Sequence, residues 1–286
     1  MILNEKLTLS NGVEIPELGL GTWLTDDSIA TDVVKQAVAI GYRHIDTAQA
    51  YDNESGVGKG IRECGVARED IFITSKVQAE YKSYKIAVKS INETLEKTGL
   101  EYIDMMLIHC PQPWAEYNKS DNRYFEENRQ VWKALEEAYS VGKIRAIGVS
   151  NFLKQDIENL LETAKIKPMV NQILCHISNT PLELIEYCHN SGIVVEAYSP
   201  IAHGEILGNT RIRSIAEKYN VTVPQLCIRY AIQLGTVALP KTTNPEHMRN
   251  NTEVDFEITA EDMEILKNFE RIKDYGENSG FPVFEL

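Results

Sequence analysis

Polar side chains stand at the ends of four apolar segments of the chain, at Asp46, Lys76, His109 and the neighbouring pair Ser150 and Asn151. A parallel strand that is buried on both faces is apolar along its whole length, so a polar residue at its last position points beyond the sheet. Because the pattern repeats from strand to strand, it predicts that these side chains form the wall of an active site.

Tyr51 lies five positions after Asp46, on the loop that follows the second strand. A phenol has a pKa of about 10, and an ammonium group that stabilises its phenolate makes it a usable proton donor near neutral pH. Lys76 is the candidate for that charge, and Asp46 is the candidate that keeps Lys76 protonated. A buried Asp46–Lys76 pair kept for stability alone is a weaker explanation, because desolvation cancels most of the gain. His109 faces the same mouth, which favours a catalytic role over that of a core histidine.

The elements that must position these residues alternate between strands and helices. A hairpin at residues 6–15 comes first, and its Asn11-Gly12 pair predicts a type I′ turn. Strands are predicted at 18–22, 43–46, 71–76, 102–109, 146–150, 169–174, 194–198 and 237–240, with helices near 28–40, 54–64, 84–97, 127–141, 153–163, 181–191 and 211–234. Eight strands that alternate with helices predict an α/β fold, a closed (β/α)8 TIM barrel.

An open doubly wound sheet is the alternative arrangement of such units. It normally begins with a glycine-rich turn directly after its first strand. The comparable run here, Gly56-Val57-Gly58-Lys59-Gly60, lies inside a helical segment and lacks the G-x-G-x-x-G spacing. The run therefore carries little weight as a phosphate-binding loop.

Length and charge narrow the class of protein. The chain has 286 residues without a dividing linker, which suits one barrel domain over 1–286, since this fold commonly takes ~250 residues. The net charge of −13 argues against nucleic acid, which needs clustered Lys and Arg, so small molecules are the expected partners. The N-terminus lacks a signal segment and no stretch approaches the ~20 apolar residues of a membrane span, which predicts a cytoplasmic protein without a membrane partner.

The five cysteines are an odd number and show no C-x-x-C spacing, which indicates reduced thiols in a large core. Adjacent Cys and His residues at 175–176 and 188–189 do not predict a metal site, because neighbouring side chains diverge.

Two segments interrupt the regular alternation. Residues 111–128 contain Trp114, Tyr117, Tyr124 and Phe125 and are too long for a simple connection, which favours a substrate lid. The tail, residues 270–286, ends in Phe281-Pro282-Val283-Phe284-Glu285-Leu286 and is either a cover for the mouth or a packing strap.

The ordered motifs of the chain resemble those of the aldo-keto reductase family. The resemblance covers residues 7–251 and rests on Gly41-Tyr42-Arg43-His44-Ile45-Asp46-Thr47-Ala48 with Tyr51, Asn53 and Glu54, on Ser75-Lys76, Leu107-Ile108-His109, the segment 142–152, Asn171-Gln172, Ala197-Tyr198-Ser199-Pro200 and Pro240-Lys241-Thr242. The resemblance implies the same (β/α)8 barrel with a short C-terminal tail. It also implies that the protein is a monomer.

The resemblance further implies NADPH-dependent reduction of aldehydes and ketones. Tyr51 would be the proton donor, Lys76 and Asp46 would tune it, and His109 would orient the carbonyl. The implied cofactor-binding residues are Gly21, Thr22, Trp23, Ser150, Asn151, Gln172, Tyr198, Ser199, Lys241, Thr242, Thr243, His247 and Asn251, and the implied substrate pocket is Trp23, Cys110 and Trp114. No metal is implied.

Some positions depart from the family pattern. Cys110 stands where many members have tryptophan, and Trp114 is the nearest replacement. His247 stands where an arginine often binds the 2′-phosphate, with Arg249 two residues away as a substitute, so NADH use is possible beside NADPH.

The alternative function is that of a cofactor-binding regulatory or structural protein with little turnover. Such a protein would not require all four catalytic residues. A third candidate is a barrel glycosidase, which needs two carboxylates at its sugar site, but Asp46 is the only carboxylate among the residues predicted at the mouth.

Overall fold

Eight apolar segments of the chain pair as parallel strands in the computed structural model, which describes residues 1–284. The strands of the molecule are β1 (Lys6–Thr8), β2 (Glu14–Pro16), β3 (Leu20–Gly21), β4 (His44–Asp46), β5 (Phe72–Val77), β6 (Ile103–Ile108), β7 (Ile144–Ser150), β8 (Val170–Leu174), β9 (Val194–Tyr198) and β10 (Thr236–Leu239). Strands β3 to β10 are neighbours in chain order. The backbone N–H groups of Gly19 and Gly21 donate to Ala238 O and Pro240 O at 3.0 Å each, which joins the last strand to the first. The sheet is therefore the closed (β/α)8 barrel that the sequence predicts.

Helices between the strands cover the outside of the barrel. They are α1 (Asp27–Ile40), α2 (Glu54–Glu63), α3 (Tyr84–Thr98), α4 (Phe125–Ser140), α5 (Lys154–Leu161), α6 (Leu182–Asn190), α7 (Thr210–Lys218), α8 (Val223–Gln233), α9 (Pro245–Asn250) and α10 (Ala260–Lys267). The prediction of one helix over 211–234 is wrong. Asn220 adopts a left-handed conformation with φ of 56°, and Thr222 then caps a new helix in which Pro224 lies in the first turn.

The hairpin β1–β2 precedes the barrel, but its turn differs from the predicted type. A type I′ turn needs positive φ at both central residues. Only Gly12 has positive φ (84°), and its N–H donates to Leu9 O, so three residues connect the hydrogen-bonded pair Leu9 and Val13. The Asn11 side chain donates to the backbone of Arg145 at the amino end of β7, which places the hairpin at the opposite end of the barrel from the strand termini of interest.

The glycines of the run 56–60 serve helix packing. A Cβ atom on Gly56 would lie 2.5 Å from Asp27 O, and one on Gly60 would lie 2.7 Å from Val34 Cβ, both in α1. A Cβ on Gly58 would overlap the backbone of Thr98 at the end of α3. The absence of side chains therefore lets α2 approach its two neighbours closely.

The carboxyl ends of the strands bring the predicted polar residues to one end of the barrel. Asp46, Ser150 and Tyr198 are the last residues of β4, β7 and β9, Lys76 is the penultimate residue of β5, and His109 follows β6 directly. Strands β4, β5 and β6 are buried along their whole length, as expected for parallel strands covered on both faces.

The tail returns to this same end of the barrel. The rings of Phe281 and Phe284 lie 4.7 and 6.5 Å from the ring of Trp23, measured between centroids. Residues 285 and 286 of the predicted tail lie outside the described residues. None of the helices within residues 1–284 has the length and apolar character that crossing a bilayer requires.

The close contact of α2 with α3 predicts that Gly58→Ala destabilises the protein. An alanine inside a helix usually stabilises relative to glycine by roughly 0.5–1 kcal/mol. Here the new methyl group meets backbone atoms of Thr98 that cannot rotate away, so we expect the free energy of unfolding to fall by about 1–3 kcal/mol in denaturant titrations. Gly280→Ala is the control, because a Cβ there meets no atom within 4 Å. A Gly58→Ala protein as stable as the wild type would contradict this account of the glycine run.

Candidate active site

A cavity of about 1,020 Å³ opens at the carboxyl end of the barrel. The predicted site residues that line it are Gly21, Trp23, Asp46, Tyr51, His109, Trp114, Ser150, Asn151, Gln172, Tyr198, Ser199, Lys241, Thr242, His247 and Asn251. Lys76 is fully buried directly behind this wall. Barrel enzymes place their active sites at this end, on the ends of several different strands.

Lys76 is held by three groups beneath the cavity. Its Nζ donates to both carboxylate oxygens of Asp46, at 2.8 and 2.6 Å, and to the backbone oxygen of Thr47 at 2.9 Å. Its remaining contact is the phenol oxygen of Tyr51, at 3.3 Å. The strand ends of β4 and β5 thus aim a positive charge at the phenol.

The charges of this group follow from burial and from its neighbours. Burial alone would lower the pKa of Lys76, but Asp46 and Tyr51 oppose it and the pKa is raised, so the ammonium keeps its charge. Burial raises the pKa of the Tyr51 phenol, while Lys76 pulls this pKa down and Asp46 pushes it up, with a raised pKa as the result. The phenol therefore carries its proton at neutral pH. The residue types alone suggested that Lys76 makes the phenol a usable proton donor near neutral pH. In the structure Lys76 offsets part of the cost of a buried phenolate, but the pKa of Tyr51 stays above its ordinary value.

His109 lies against the phenol at the cavity wall. Its ring centroid is 5.6 Å from that of Tyr51 and 5.1 Å from that of Trp114. Burial, followed by the charge of Lys76, holds the pKa of His109 well below its usual range, so the imidazole is neutral. A neutral imidazole has one N–H to donate, which suits a carbonyl oxygen placed in the cavity.

Gln172 connects this group to the interior of the barrel. Its amide nitrogen donates to Asp46 Oδ1 and to Glu196 Oε2, both at 2.8 Å. Because both N–H groups of the amide are used, the carbonyl oxygen Oε1 is what Gln172 offers to the cavity.

Glu196 is a buried acid within the apolar strand β9. Burial, and next the charge of Asp46, raises the pKa of Glu196, while burial lowers the pKa of the nearby His44 to about 3. Glu196 Oε1 and His44 Nε2 lie 3.5 Å apart, but both groups are neutral at pH 7 and form no ion pair. Glu196 therefore accepts a hydrogen bond from Gln172 as a neutral acid.

Asn151 and Tyr198 fix each other on the other side of the cavity. The Tyr198 hydroxyl donates to Asn151 Oδ1 at 2.7 Å, and Asn151 Nδ2 donates to the backbone oxygen of His109 at 3.0 Å. Ser150 Oγ donates to the backbone oxygen of Gln172 at 3.0 Å. These bonds hold amide and aromatic groups in place at the cavity wall.

Cationic side chains line the same cavity. Lys241 follows β10, and its Nζ donates to Leu24 O at 3.3 Å. Helix α9 brings His247 to the wall but not Arg249, because residues two positions apart point to different sides of a helix. Arg249 is therefore not among the lining residues of this cavity. Arg213 of α7 does line the cavity, which residue types along the chain did not reveal.

Besides Lys76, three predicted site residues do not lie on the wall. Cys110 is fully buried and is not among the lining residues of the cavity, and Trp114 lines the wall instead. Thr22 is also buried, and its hydroxyl supports the backbone of Asp46 at 2.9 Å. Thr243 is exposed outside the cavity.

His203 is a cavity residue that sequence reasoning missed. It lies at the kink of the 3₁₀ segment Ala202–Gly208 with φ of 53°, and its ring centroid is 5.1 Å from that of Trp23. Only Pro200 and Gly204 mark this region as a loop, and neither points to a functional histidine. Glu196 did carry a signal, since an acid inside an otherwise apolar buried strand is unusual.

The site as a whole can give a proton to an oxygen atom and hold an extended polar ligand. Its phenol, ammonium and neutral imidazole converge at the base, and its amides and cations surround them. Within residues 1–284 there is no group of three or more His, Cys, Asp or Glu side chains that could hold a metal ion.

Comparisons with known proteins identify the family of the chain and agree with the barrel fold. The family described as "Aldo/keto reductase family" matches residues 17–271. A protein of Bacillus subtilis (strain 168) named glyoxal reductase is 42% identical over 278 residues, which cover 96% of each chain. The crystal structure of an aldo/keto reductase from Brucella melitensis has a TM-score of 0.85 at 34% identity and covers 92% of this chain and 98% of its own. A Bombyx mori aldo-keto reductase solved in complex with NADP has a TM-score of 0.83 at 32% identity, with 99% of both chains covered.

The neutral state of Glu196 predicts a pH-dependent effect of Glu196→Gln on stability. An acid with a raised pKa in the folded state binds its proton more tightly when folded, so stability falls as pH rises above the ordinary glutamate pKa of about 4.3. Glutamine mimics the neutral acid and does not titrate. We expect the variant to gain stability relative to the wild type as pH rises from about 5 to 8, by up to about 1.4 kcal/mol per pH unit. Glu69→Gln, at an exposed position, controls for the loss of one carboxylate. A stability difference that stays constant from pH 5 to 8 would show that Glu196 is not a neutral acid in the fold.

Proposed function

The chain belongs to the aldo/keto reductase family, and we propose that it is an enzyme that reduces aldehydes and ketones to alcohols with NADPH. The observation that carries the proposal is the buried Lys76 ammonium in contact with Asp46 at 2.6 Å and Tyr51 at 3.3 Å. A buried ion pair contributes little net stability after desolvation, and binding a cofactor alone does not require it. A tyrosine that donates its proton to the reacting oxygen does require such a pair beside it.

In this proposal the side chains act on the carbonyl oxygen. A reduced nicotinamide bound in the cavity would supply hydride to the carbonyl carbon. Tyr51 gives its proton to the oxygen, and Lys76 stabilises the phenolate that remains. Asp46 keeps Lys76 charged and in place. His109 donates its single N–H to the same oxygen and thereby orients the carbonyl.

The residues around the cavity fit a dinucleotide. Gln172 offers a carbonyl oxygen, and Asn151 and Ser150 lie beside it, which suits a carboxamide. Tyr198 presents a ring whose hydroxyl is tied down, which suits stacking. Lys241 and Arg213 are the cations for phosphates, and Thr242 and Asn251 add polar contacts. A volume of about 1,020 Å³ is at the upper end of common ligand pockets, ~300–1,000 Å³.

The proposed substrates are small carbonyl compounds. Trp23 and Trp114 are large aromatic side chains on the wall, and we propose that reactive carbonyls such as small dicarbonyls bind beside them. The similarity to a protein named glyoxal reductase supports this class. Because His247 replaces a permanent cation, we propose that NADH is also accepted, more weakly than NADPH.

Tyr51→Phe should nearly abolish carbonyl reduction while NADPH binding stays almost unchanged, because the change removes the proton donor and little else. The expected loss in kcat is ~10²-fold or more, measured by NADPH absorbance with a panel of small aldehydes and ketones. Tyr139→Phe, at the hairpin end of the barrel, is the matched control. A Tyr51→Phe enzyme that keeps more than about a tenth of wild-type kcat would exclude Tyr51 as the general acid.

Lys241 should dominate recognition of the 2′-phosphate, since it is a permanent cation on the wall whereas imidazoles are mostly neutral at pH 7.5. We expect Lys241→Ala to weaken NADPH more than NADH. We expect His247→Arg to tighten NADPH selectively, by about 1 kcal/mol or roughly fivefold in Kd. Tryptophan fluorescence quenching gives both constants, and Arg249→His, off the wall, should change neither. Equal weakening of the two cofactors by Lys241→Ala would remove the basis for the NADPH preference.

A further inference from the structure

A second cavity, of about 500 Å³, adjoins the first. The two cavities share Asn151, Tyr198 and Val283 as lining residues. Tyr198 and Asn151 are hydrogen-bonded to each other, and Val283 belongs to the tail. The second cavity is therefore an annex at the side of the candidate active site.

The annex is electropositive in an acidic protein. Lys267, at the end of α10, and Arg271, at the start of the tail, both line it. Neither side chain forms a hydrogen bond or an ion pair with another residue within 1–284. None of the described lining residues is acidic, although the chain has 42 Asp and Glu against 29 Lys and Arg. Two cations that have no acidic partner among residues 1–284 point to an anionic ligand.

A buried hydroxyl group adds a second, independent sign of a ligand. Ser178 lines the annex, is 2% exposed, and its Oγ has no hydrogen-bond partner among the described residues. A buried polar atom left unsatisfied costs about 1–3 kcal/mol. The adjacent side chains are occupied, since Asn179 donates to Leu174 O and Thr180 donates to His176 O. Ser178 is thus the donor in this loop that remains for a ligand.

A row of aromatic rings connects the reacting end of the first cavity to the annex. The ring of Tyr51 contacts that of His109, and the ring of His109 contacts that of Trp114, on the wall of the first cavity. The ring of Trp114 in turn lies 5.8 Å from that of Tyr117, on the wall of the annex. A short carbon chain that lies along these rings would start at the phenol and end beside the cations.

We propose that the annex binds an anionic group, a carboxylate or a phosphate, carried by the substrate whose carbonyl is reduced at Tyr51. Arg271 and Lys267 bind the anion, and Ser178 donates a hydrogen bond to it. This inference rests on the proposed reductase function and narrows its substrates to carbonyl compounds with an anionic end.

The test compares ω-oxo carboxylic acids of increasing chain length with their methyl esters, which lack the negative charge at the far end and carry one methyl group more. We expect the wild-type enzyme to prefer the acid over the ester at one chain length by roughly tenfold in kcat/KM, as one charge-assisted contact would give. Arg271→Met and Lys267→Met should remove this preference and leave ester reduction unchanged. Lys273→Met removes the same charge from the exposed tail outside the annex and should keep the preference.

Several outcomes would overturn the proposal. One is an acid-to-ester ratio that Arg271→Met and Lys267→Met leave as in the wild type, and another is an equal loss in Lys273→Met, which would indicate a long-range charge effect. A third is that free acetate or inorganic phosphate raises ester reduction to the rate of the acid, because the anion would then be a separate ligand.

If no aldehyde is reduced at all, the proposed reductase function is wrong. Calorimetric titration of the protein with the corresponding dicarboxylates then still tests whether the annex binds an anion. Binding that Arg271→Met weakens roughly tenfold supports it, and equal or undetectable binding refutes it.

Discussion

The buried charge of Lys76 is the constraint on which the rest of the site depends. An ammonium without contact to water costs several kcal/mol in desolvation, and Lys76 is fully buried. The Asp46 carboxylate offsets this cost with two hydrogen bonds, and removal of either partner alone would leave an uncompensated charge, at a cost of about 3–5 kcal/mol. The pair thereby ties the end of β4 to the end of β5, and the phenol of Tyr51 is held against the one face of the ammonium that remains.

Inside the barrel, the positive charge of Lys76 is balanced by the single negative charge of Asp46. Gln172 joins Asp46 to Glu196 through two hydrogen bonds from one amide. If Glu196 were ionised, a second carboxylate would compete for the single ammonium and the pKa values of the whole group would shift. Burial instead keeps Glu196 neutral, so the bridge orients Gln172 without changing the net charge beneath the cavity. The amide of Gln172 is consequently fixed in one orientation, with its oxygen available to a ligand.

The mouth above this base is built from segments that are far apart in the chain. Trp23, from the loop after β3, meets His203 from the loop after β9 and Phe281 from the tail. Ser199 and His203 have positive φ, a conformation that costs free energy in non-glycine residues and persists where packing enforces it. The shape of the ligand cavities therefore depends on how the tail and this loop pack together. The base of the cavity depends on the strand ends and on the short loop after β4 that carries Tyr51.

The sequence by itself determined the barrel and the polar residues at the ends of its strands, because apolar runs and their periodicity are local properties that burial in a parallel sheet enforces. The spacing of the run 56–60 argued against a phosphate loop, and the structure adds that its glycines allow close helix packing. Only the tertiary structure decided that Arg213 and His203 line the cavity while Cys110 and Arg249 do not. It likewise decided the directions of the pKa shifts of Tyr51 and Glu196 and the existence of the annex. Those properties arise from burial and charge contributed by segments that are distant in sequence, and no local pattern records them.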